Sequence, residues 1–545
     1  MTAGAFTPPR PNNEPVRSYA PGTPERASLQ EKLRELEKNT IEAPCYIDGH
    51  PVHTGKTFER RAPHRHDLLL ANAHAADEQT TTAAIEAAMR ARADWAAMPW
   101  HERAAIFLRA AELIAGRHRD LINGSTMLGQ SKNVYQAEID AACETVDLLR
   151  FNVYYYSRIL AQQPDVNPTG VWNRLDYRPL DGFVLAMTPF NFTAIAANLP
   201  TAPALCGNTV VWKPSEKQVF SAHFLMQVLI EAGLPPGVIN LLHGDGALVS
   251  RVCFEHPDFA GLHFTGNVDV FRGLWGAIGR NIGRYRAFPR VVGETGGKDF
   301  VIAHPSAAPE ALVTALVRGA FEYQGQKCSA ASRAYIPEGL WKRVEDQLLD
   351  TTRSLKMGDV ADFTVFMGAV IDEAAFRKHQ GWLERAAGDP ELEVLVGGGV
   401  DGAEGWFVQP TIIRTANPRH EIMETELFGP ILTVYVYEDD AWEEALDLVD
   451  TTSPFGLTGS VFATDRAAIL QATERLRHAA GNFYINDKPT GAIVGQQPFG
   501  GTRASGTNDK AGSHLNLLRW MSVRTIKETM DPPVDYRYPH MAPDA

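Results

Sequence analysis

No run of about 18 apolar residues occurs anywhere in the 545-residue chain, so it has nothing with which to cross a bilayer as a helix. Its first residues, MTAGAFTPPRPNNEPVRSYAPGTPE, lack the apolar centre of a secretory signal. Frequent proline, with Glu14 and Glu25, also makes them a poor transit peptide. They are expected to form an extended arm, and the protein is expected to be cytoplasmic. Cysteine is scarce: Cys45, Cys143, Cys206, Cys253 and Cys328, an odd number at wide spacings. That excludes a disulfide framework, and no CxxC or His/Cys cluster has metal-ligand spacing, so no metal site is expected. The net charge of -13 is dispersed rather than blocked, which argues against nucleic acid or anionic lipid as a partner. A G-x-G-x-x-G following a strand is missing too. GAIGRNIG at 276–283 has its glycines at the wrong spacing and follows no strand.

What is present is a soluble α/β pattern. Hydrophobic residues make up 44% of the chain and charged residues 21%, the values of an ordinary globular protein with room for two or three domains. Leu29, Leu33 and Leu36 share one face of a short helix at 28–39. Between 80 and 160 apolar residues recur at helical spacing, as in 83–96 and 103–117. After Pro168, apolar strand-length runs alternate with helix-length segments: 182–187, 209–213, 238–242 and 260–264, then 299–303, 333–337, 432–437, 458–463 and 481–486. This alternation predicts largely parallel sheets with helices on both faces. The glycine-rich stretch 293–298 (GETGGK) is the expected joint between two α/β units.

Several short segments carry chemistry. In FEYQGQKCSAAS (321–332), Cys328 follows a helix and neighbours Lys327, whose charge is expected to lower the thiol pKa. A free cysteine taken at random is a buried structural residue about nine times in ten, and the other four keep that reading. Glu294 sits beside Gly296, Gly297 and Lys298, where a carboxylate could act as a base toward water. Asn191, in MTPFNFTA, places an amide after a strand end, where it could donate to an oxyanion. Lys213, in VWKPSE, puts a cation at the carboxyl edge of a parallel sheet, where such folds bind ligands. Each of these, alone, is more often a turn or a solvated surface residue.

Their order along the chain is more specific. PFN, WKPSE, FTG, ETGGK, QKCS, ELFGP and PFGG in succession resemble the aldehyde dehydrogenase superfamily over roughly 42 to 525. NEPVRSYAPGTPER (13–26), QAEIDAACETVDLLRFN (136–152) and TGAIVGQQPFGGTRASGTNDKAG (490–512) look like its 1-pyrroline-5-carboxylate dehydrogenase branch. The resemblance implies a variant Rossmann NAD-binding domain (41–163 and 182–292), a catalytic domain (293–512), and an oligomerisation element (164–181 and 513–545) after an N-terminal arm and helix (1–40). In the last of these, a hairpin near 165–180 and a strand near 515–525 are expected to pair across a dimer.

The same resemblance assigns roles. Cys328 is the nucleophile, Glu294 the base and Asn191 the oxyanion donor. Lys213, Ser215 and Glu216 lie near the adenine ribose. Gly266 and Asn267 open the helix that receives the pyrophosphate, and Glu426 and Phe428 hold the nicotinamide ribose. Glu216 beside the ribose hydroxyls favours NAD over NADP. Gly491, Ala492 and Ser329 are expected to hold the substrate's α-carboxylate. Phe192 and Phe499 would wall its aliphatic middle, and Glu138 is placed near its ammonium. Other readings are an enzyme for a different semialdehyde, a CoA-acylating relative, for which Glu294 would be dispensable, and a non-catalytic scaffold, which should have lost one of the three catalytic residues. A fused proline dehydrogenase would need several hundred more residues, so a separate one is the expected associate.

Overall fold

The structure, a computed structural model, describes residue 4 and residues 6–544. Two seven-stranded sheets dominate it. The first runs in the order Arg290–Glu294, Phe259–Thr265, Phe183–Thr188, Thr209–Pro214, Ile239–Leu241, Cys45–Ile47 and His50–Val52. Its first five strands are parallel, and the last two close it antiparallel. Every residue of Phe183–Thr188 and Thr209–Pro214 is buried, as expected for parallel strands covered on both faces. The second sheet runs Leu392–Val396, Thr411–Thr415, Ile431–Tyr437, Ala331–Pro337, Asp299–Ala303, Thr458–Phe462 and Asn482–Ile485, parallel except for its first strand. Arg290–Glu294 edges one sheet and Asp299–Ala303 lies inside the other. The chain therefore crosses between them through Thr295–Gly296–Gly297–Lys298, within the expected joint.

Each strand run read from the sequence is a strand, to within two residues at either end. The helices expected at 83–96 and 103–117 are Glu78–Ala97 and Trp100–Ala115. The first helix, Pro24–Lys38, buries Leu29, Leu33 and Leu36 together. Five short strands between Ile41 and His74 were not anticipated.

The expected hairpin at 165–180 is instead one nine-residue strand, Val171–Pro179. It pairs antiparallel along its whole length with Met521–Thr529 of the same chain. The six residues before it, 165–170, form no strand, so there is no second arm for it to pair with. Among the described residues no helix is long and apolar enough to cross a membrane.

A π-helix, Glu138–Glu144, interrupts the helical run between Val134–Ala137 and Thr145–Leu160. Such wide turns are rare overall and frequent at functional sites. Here Asp140, which lies on it, caps the helix Thr193–Leu205: its two oxygens accept from the backbone amides of Thr193 (3.0 Å) and Ala194 (2.9 Å). That fixes the segment immediately following Asn191.

Candidate active site

Cys328 lies just after three consecutive residues with left-handed backbone: Tyr323 (φ 52°), Gln324 (φ 54°) and Gly325 (φ 65°). Tyr323 and Gln324 pay steric energy for this conformation, of the kind that clusters at catalytic turns. Gly325 is obligatory, because a Cβ there would collide with the carbonyl of Gly429. The turn is held by the Gln324 side chain, which donates to the carbonyls of Ser131 (3.0 Å) and Ala369 (2.7 Å) and accepts from the Gly368 amide (3.1 Å). Cys328 is partly exposed as a residue, while the other four cysteines are buried.

Asn191 arrives from the other sheet. Its amide nitrogen lies 3.1 Å from the carbonyl oxygen of Gln326, two residues before Cys328. One of its two N–H groups is thereby spent on orientation, and the second is left for a ligand. The Cys328 backbone N–H donates to no other residue among those described.

Glu294 ends the edge strand of the first sheet. One carboxylate oxygen accepts from the Gly501 amide at 2.8 Å, while the other is buried with no partner among the described residues. Burial, opposed by the Gly501 bond and by Lys510, raises its pKa well above the usual carboxylate range. The motif PFGG thus does its work through backbone: Gly500 and Gly501 lie directly against this carboxylate.

The Cys328 thiol does not behave as its neighbour Lys327 suggested. The Lys327 ammonium is buried in an ion pair with Glu322 (3.0 Å), five residues upstream. The thiol pKa is raised instead, first by burial and then by the carboxylates of Asp299, Glu426 and Glu294. Those three acids are themselves pushed up, Glu426 to about 7, in each case chiefly by burial.

The chain from 51 to 526 matches the model of the aldehyde dehydrogenase family. This chain belongs to that family. It is 50% identical over 535 residues to the mitochondrial delta-1-pyrroline-5-carboxylate dehydrogenase of Dictyostelium discoideum, covering 98% of this chain and 96% of that one. It is 48% identical to the corresponding protein of Agaricus bisporus, covering 98% of each. The crystal structure of Delta-pyrroline-5-carboxylate dehydrogenase from Mycobacterium tuberculosis bound with NAD has a TM-score of 0.96 to it, at 55% identity over 99% of this chain and all of that one.

In this aldehyde dehydrogenase the residues expected at a dinucleotide gather along the carboxyl edge of the first sheet. Lys213 is buried, with no hydrogen-bond or ion-pair partner among the described residues, and Gly246 leaves room beside its ammonium. Ser215 caps the turn that exposes Glu216. Gly266 donates to the carbonyl of Glu294 (3.1 Å), tying this edge to Glu294. Asn267 caps the helix Val268–Arg280 with its own side chain, accepting from Asp269 and Val270. Glu426 accepts from the Gly297 amide at 2.9 Å, and Gly296 must lack a side chain because Glu426 occupies that space. Phe428 is held at φ 58° with its ring edge-on to Phe190 of the PFN motif, centroids 5.8 Å apart. An unpartnered buried cation and glycine-lined space at a parallel sheet's carboxyl edge fit NAD.

Ser329 and Thr490 share a hydroxyl hydrogen bond of 2.8 Å, which joins the neighbour of Cys328 to the loop carrying Gly491 and Ala492. Gly491 has φ 95°, and among the described residues no hydrogen bond uses its N–H or that of Ala492. The Lys488 ammonium stands next to Gly491. Phe192 and Phe499 are half-buried, and Phe192 receives the Lys132 ammonium 4.2 Å from its ring centre.

Glu138 is not in this group. It is fully buried and satisfied by Arg119 (2.5 Å), Asn123 (2.7 Å), the Arg17 amide (2.8 Å) and Tyr19 (2.9 Å). A carboxylate so paired has no capacity left for a substrate ammonium; it anchors the N-terminal arm instead. A second acid that sequence reasoning did not single out, Glu144, lies at the other end of the π-helix. It is partly exposed, has none of those bonds, and shares Lys132 and Lys327 as charged neighbours with Phe192 and Cys328. Glu138 and Glu144 stand at the two ends of EIDAACE, the residues of the π-helix.

Proposed function

We propose that this chain oxidises L-glutamate 5-semialdehyde, in equilibrium with 1-pyrroline-5-carboxylate, to L-glutamate with NAD, the second step of proline degradation. The observation that carries the substrate choice is the pair of unused amides at Gly491 and Ala492, beside Lys488 and linked through Thr490–Ser329 to Cys328. Adjacent free N–H groups with a nearby cation suit a carboxylate. The likeness to delta-1-pyrroline-5-carboxylate dehydrogenases across nearly the whole chain supports the same reading.

In this reading the Cys328 sulfur, once deprotonated, adds to the aldehyde carbon. The Asn191 side-chain N–H and the Cys328 backbone N–H hold the resulting oxyanion, donors typically worth about 3–4 kcal/mol each. Bound NAD supplies the hydride acceptor. Cys328 is then left as a thioester, and Glu294 takes a proton from water at its unpartnered oxygen as the water attacks the thioester carbon. Glutamate leaves and the thiol is restored. Phe192 and Phe499 exclude water along the aliphatic stem, and Glu144 faces the substrate ammonium in place of Glu138. Exposed Glu216 repels a 2′-phosphate, which favours NAD over NADP.

The test is a substrate panel with and without CoA. Glutamate semialdehyde should exceed succinate semialdehyde and simple aliphatic aldehydes in kcat/KM, with full turnover lacking CoA. Equal efficiency across the panel removes the substrate assignment. The free cysteines suit a reducing cytoplasm. The paired strands Val171–Pro179 and Met521–Thr529 present unpaired edges through which two copies could join as a homodimer or larger assembly. A separate proline dehydrogenase is the natural associate, since it supplies the substrate.

A further inference from the structure

The loop that carries Gly491 and Ala492 is suspended between two fixed points. Near Cys328 the tie is Ser329 to Thr490. At the far end Val494 is buried with Leu148 and Ala194, and Gly495 (φ 81°) packs so closely on Phe151 that no side chain would fit. The remaining tie comes from the distant N-terminal arm. The Asn13 side-chain nitrogen donates to the Val494 carbonyl (2.8 Å) and to Asp147 (2.7 Å), and its oxygen accepts from the Gln496 side chain (3.0 Å).

Asn13 itself is held rigidly. The next amide, Glu14, donates to the second Asp147 oxygen (2.7 Å), and the Glu14 carboxylate receives Arg119 (2.6 Å) and Arg150 (2.7 Å). Arg17 and Tyr19 then close on Glu138. A side-chain amide is the one group of this size that can donate twice and accept at once. Its three partners lie on the loop or on the helix beneath it.

We propose that Asn13 is a positioning residue for the substrate's α-carboxylate: by fixing Val494 and Gln496, the N-terminal arm sets where the Gly491 and Ala492 amides point. This rests on the reading of those amides given above. Loss of the tie leaves the Cys328 end and the dinucleotide edge intact, because neither contacts Asn13 among the described residues. The consequence is confined to aldehydes that carry a carboxylate.

The experiment compares Asn13→Ala and Ala492→Pro with the unaltered full chain at saturating NAD. KM and kcat are measured for glutamate semialdehyde and for propanal, which has no carboxylate, together with inhibition by L-glutamate. Asn13→Ala should raise the glutamate semialdehyde KM and the glutamate inhibition constant about tenfold, the effect of roughly one misplaced hydrogen bond. Both propanal constants should stay within about twofold. Parallel changes for both aldehydes, or a lower melting temperature with both KM values unchanged, overturn the proposal. Ala492→Pro, which deletes one amide directly, tests the underlying reading by itself: no rise in the glutamate semialdehyde KM defeats that reading whatever Asn13 does. Should Asn13→Ala fold poorly, Gln496→Ala, exposed and losing one bond of the three, should give a smaller rise of the same selectivity. The absence of any selective rise overturns the role of the arm.

Discussion

The Asn191 side chain donates to the Gln326 carbonyl, so the proposed oxyanion donor and the turn carrying the nucleophile are tied together before any ligand enters. Asn191 follows the carboxyl end of a strand of one sheet, and Cys328 precedes the amino end of a strand of the other. Preorganisation of this sort means that the site pays little to assemble during reaction.

Asn191→Ala should therefore lower kcat by about 10²–10³ with little change in KM. Its effect on melting temperature should be small, because only one hydrogen bond to a backbone carbonyl is lost. Steady-state kinetics and a thermal melt decide this. A fall in KM-controlled affinity with unchanged kcat would remove Asn191 from the oxyanion site.

Cys328→Ala should leave less than about a thousandth of the turnover while NAD still binds. Residual activity above that level contradicts the nucleophile assignment. Glu294→Ala should instead give a burst of NADH, stoichiometric with enzyme, followed by little steady turnover. A stopped-flow trace that shows no burst but a uniformly slow rate would place Glu294 before hydride transfer.

Glu138→Ala should act on stability. It strips Arg119, which is 1% exposed, of a buried partner, a loss of about 3–5 kcal/mol by analogy with other broken buried pairs. The arm at 13–19 should become sensitive to protease and the melting temperature should drop. Unaltered stability with a selective loss of glutamate affinity would restore Glu138 to the substrate site.

Glu144→Gln should remove discrimination for the ammonium. Unaltered enzyme is expected to be inhibited more strongly by L-glutamate than by glutarate, which lacks the amino group, and the variant about equally by both. Burial and Asp140, with Asp147, opposed by Lys132 and Lys327, raise the Glu144 pKa to about 8. Between the ordinary carboxylate range and about pH 8 the folded protein keeps a proton that the unfolded chain has lost. Stability contributed through Glu144 therefore falls as pH rises through that window. Melts across pH 5–9 should be flatter for Glu144→Gln, and identical slopes would refute the assignment.

The sheets were readable because strands such as Phe183–Thr188 are buried on both faces and so spell continuous apolar runs. The strands between Ile41 and His74 are three to ten residues long with no regular alternation or long apolar run, and several lie at edges, which leaves a weak pattern. Cys328, Glu294 and Asn191 were found through motif order. Their neighbours were harder. Which acid of Glu138 and Glu144 faces inward depends on helix phase, and a π-turn resets that phase without a residue signature. Lys327 adjoins Cys328 in sequence, yet the left-handed turn brings Glu322 back to claim its charge. Asn13 reaches Val494 across nearly the whole chain, and no local pattern announces a contact of that separation.

Among the described residues the strand Val171–Pro179 has its only partner in Met521–Thr529. During translation the earlier strand leaves the ribosome roughly tens of seconds before the later one exists. Throughout that interval its amides and carbonyls stand open to any other nascent edge. Premature stop codons anywhere in the last stretch of the message would thus yield products with intact catalytic side chains and an adhesive, unmated strand.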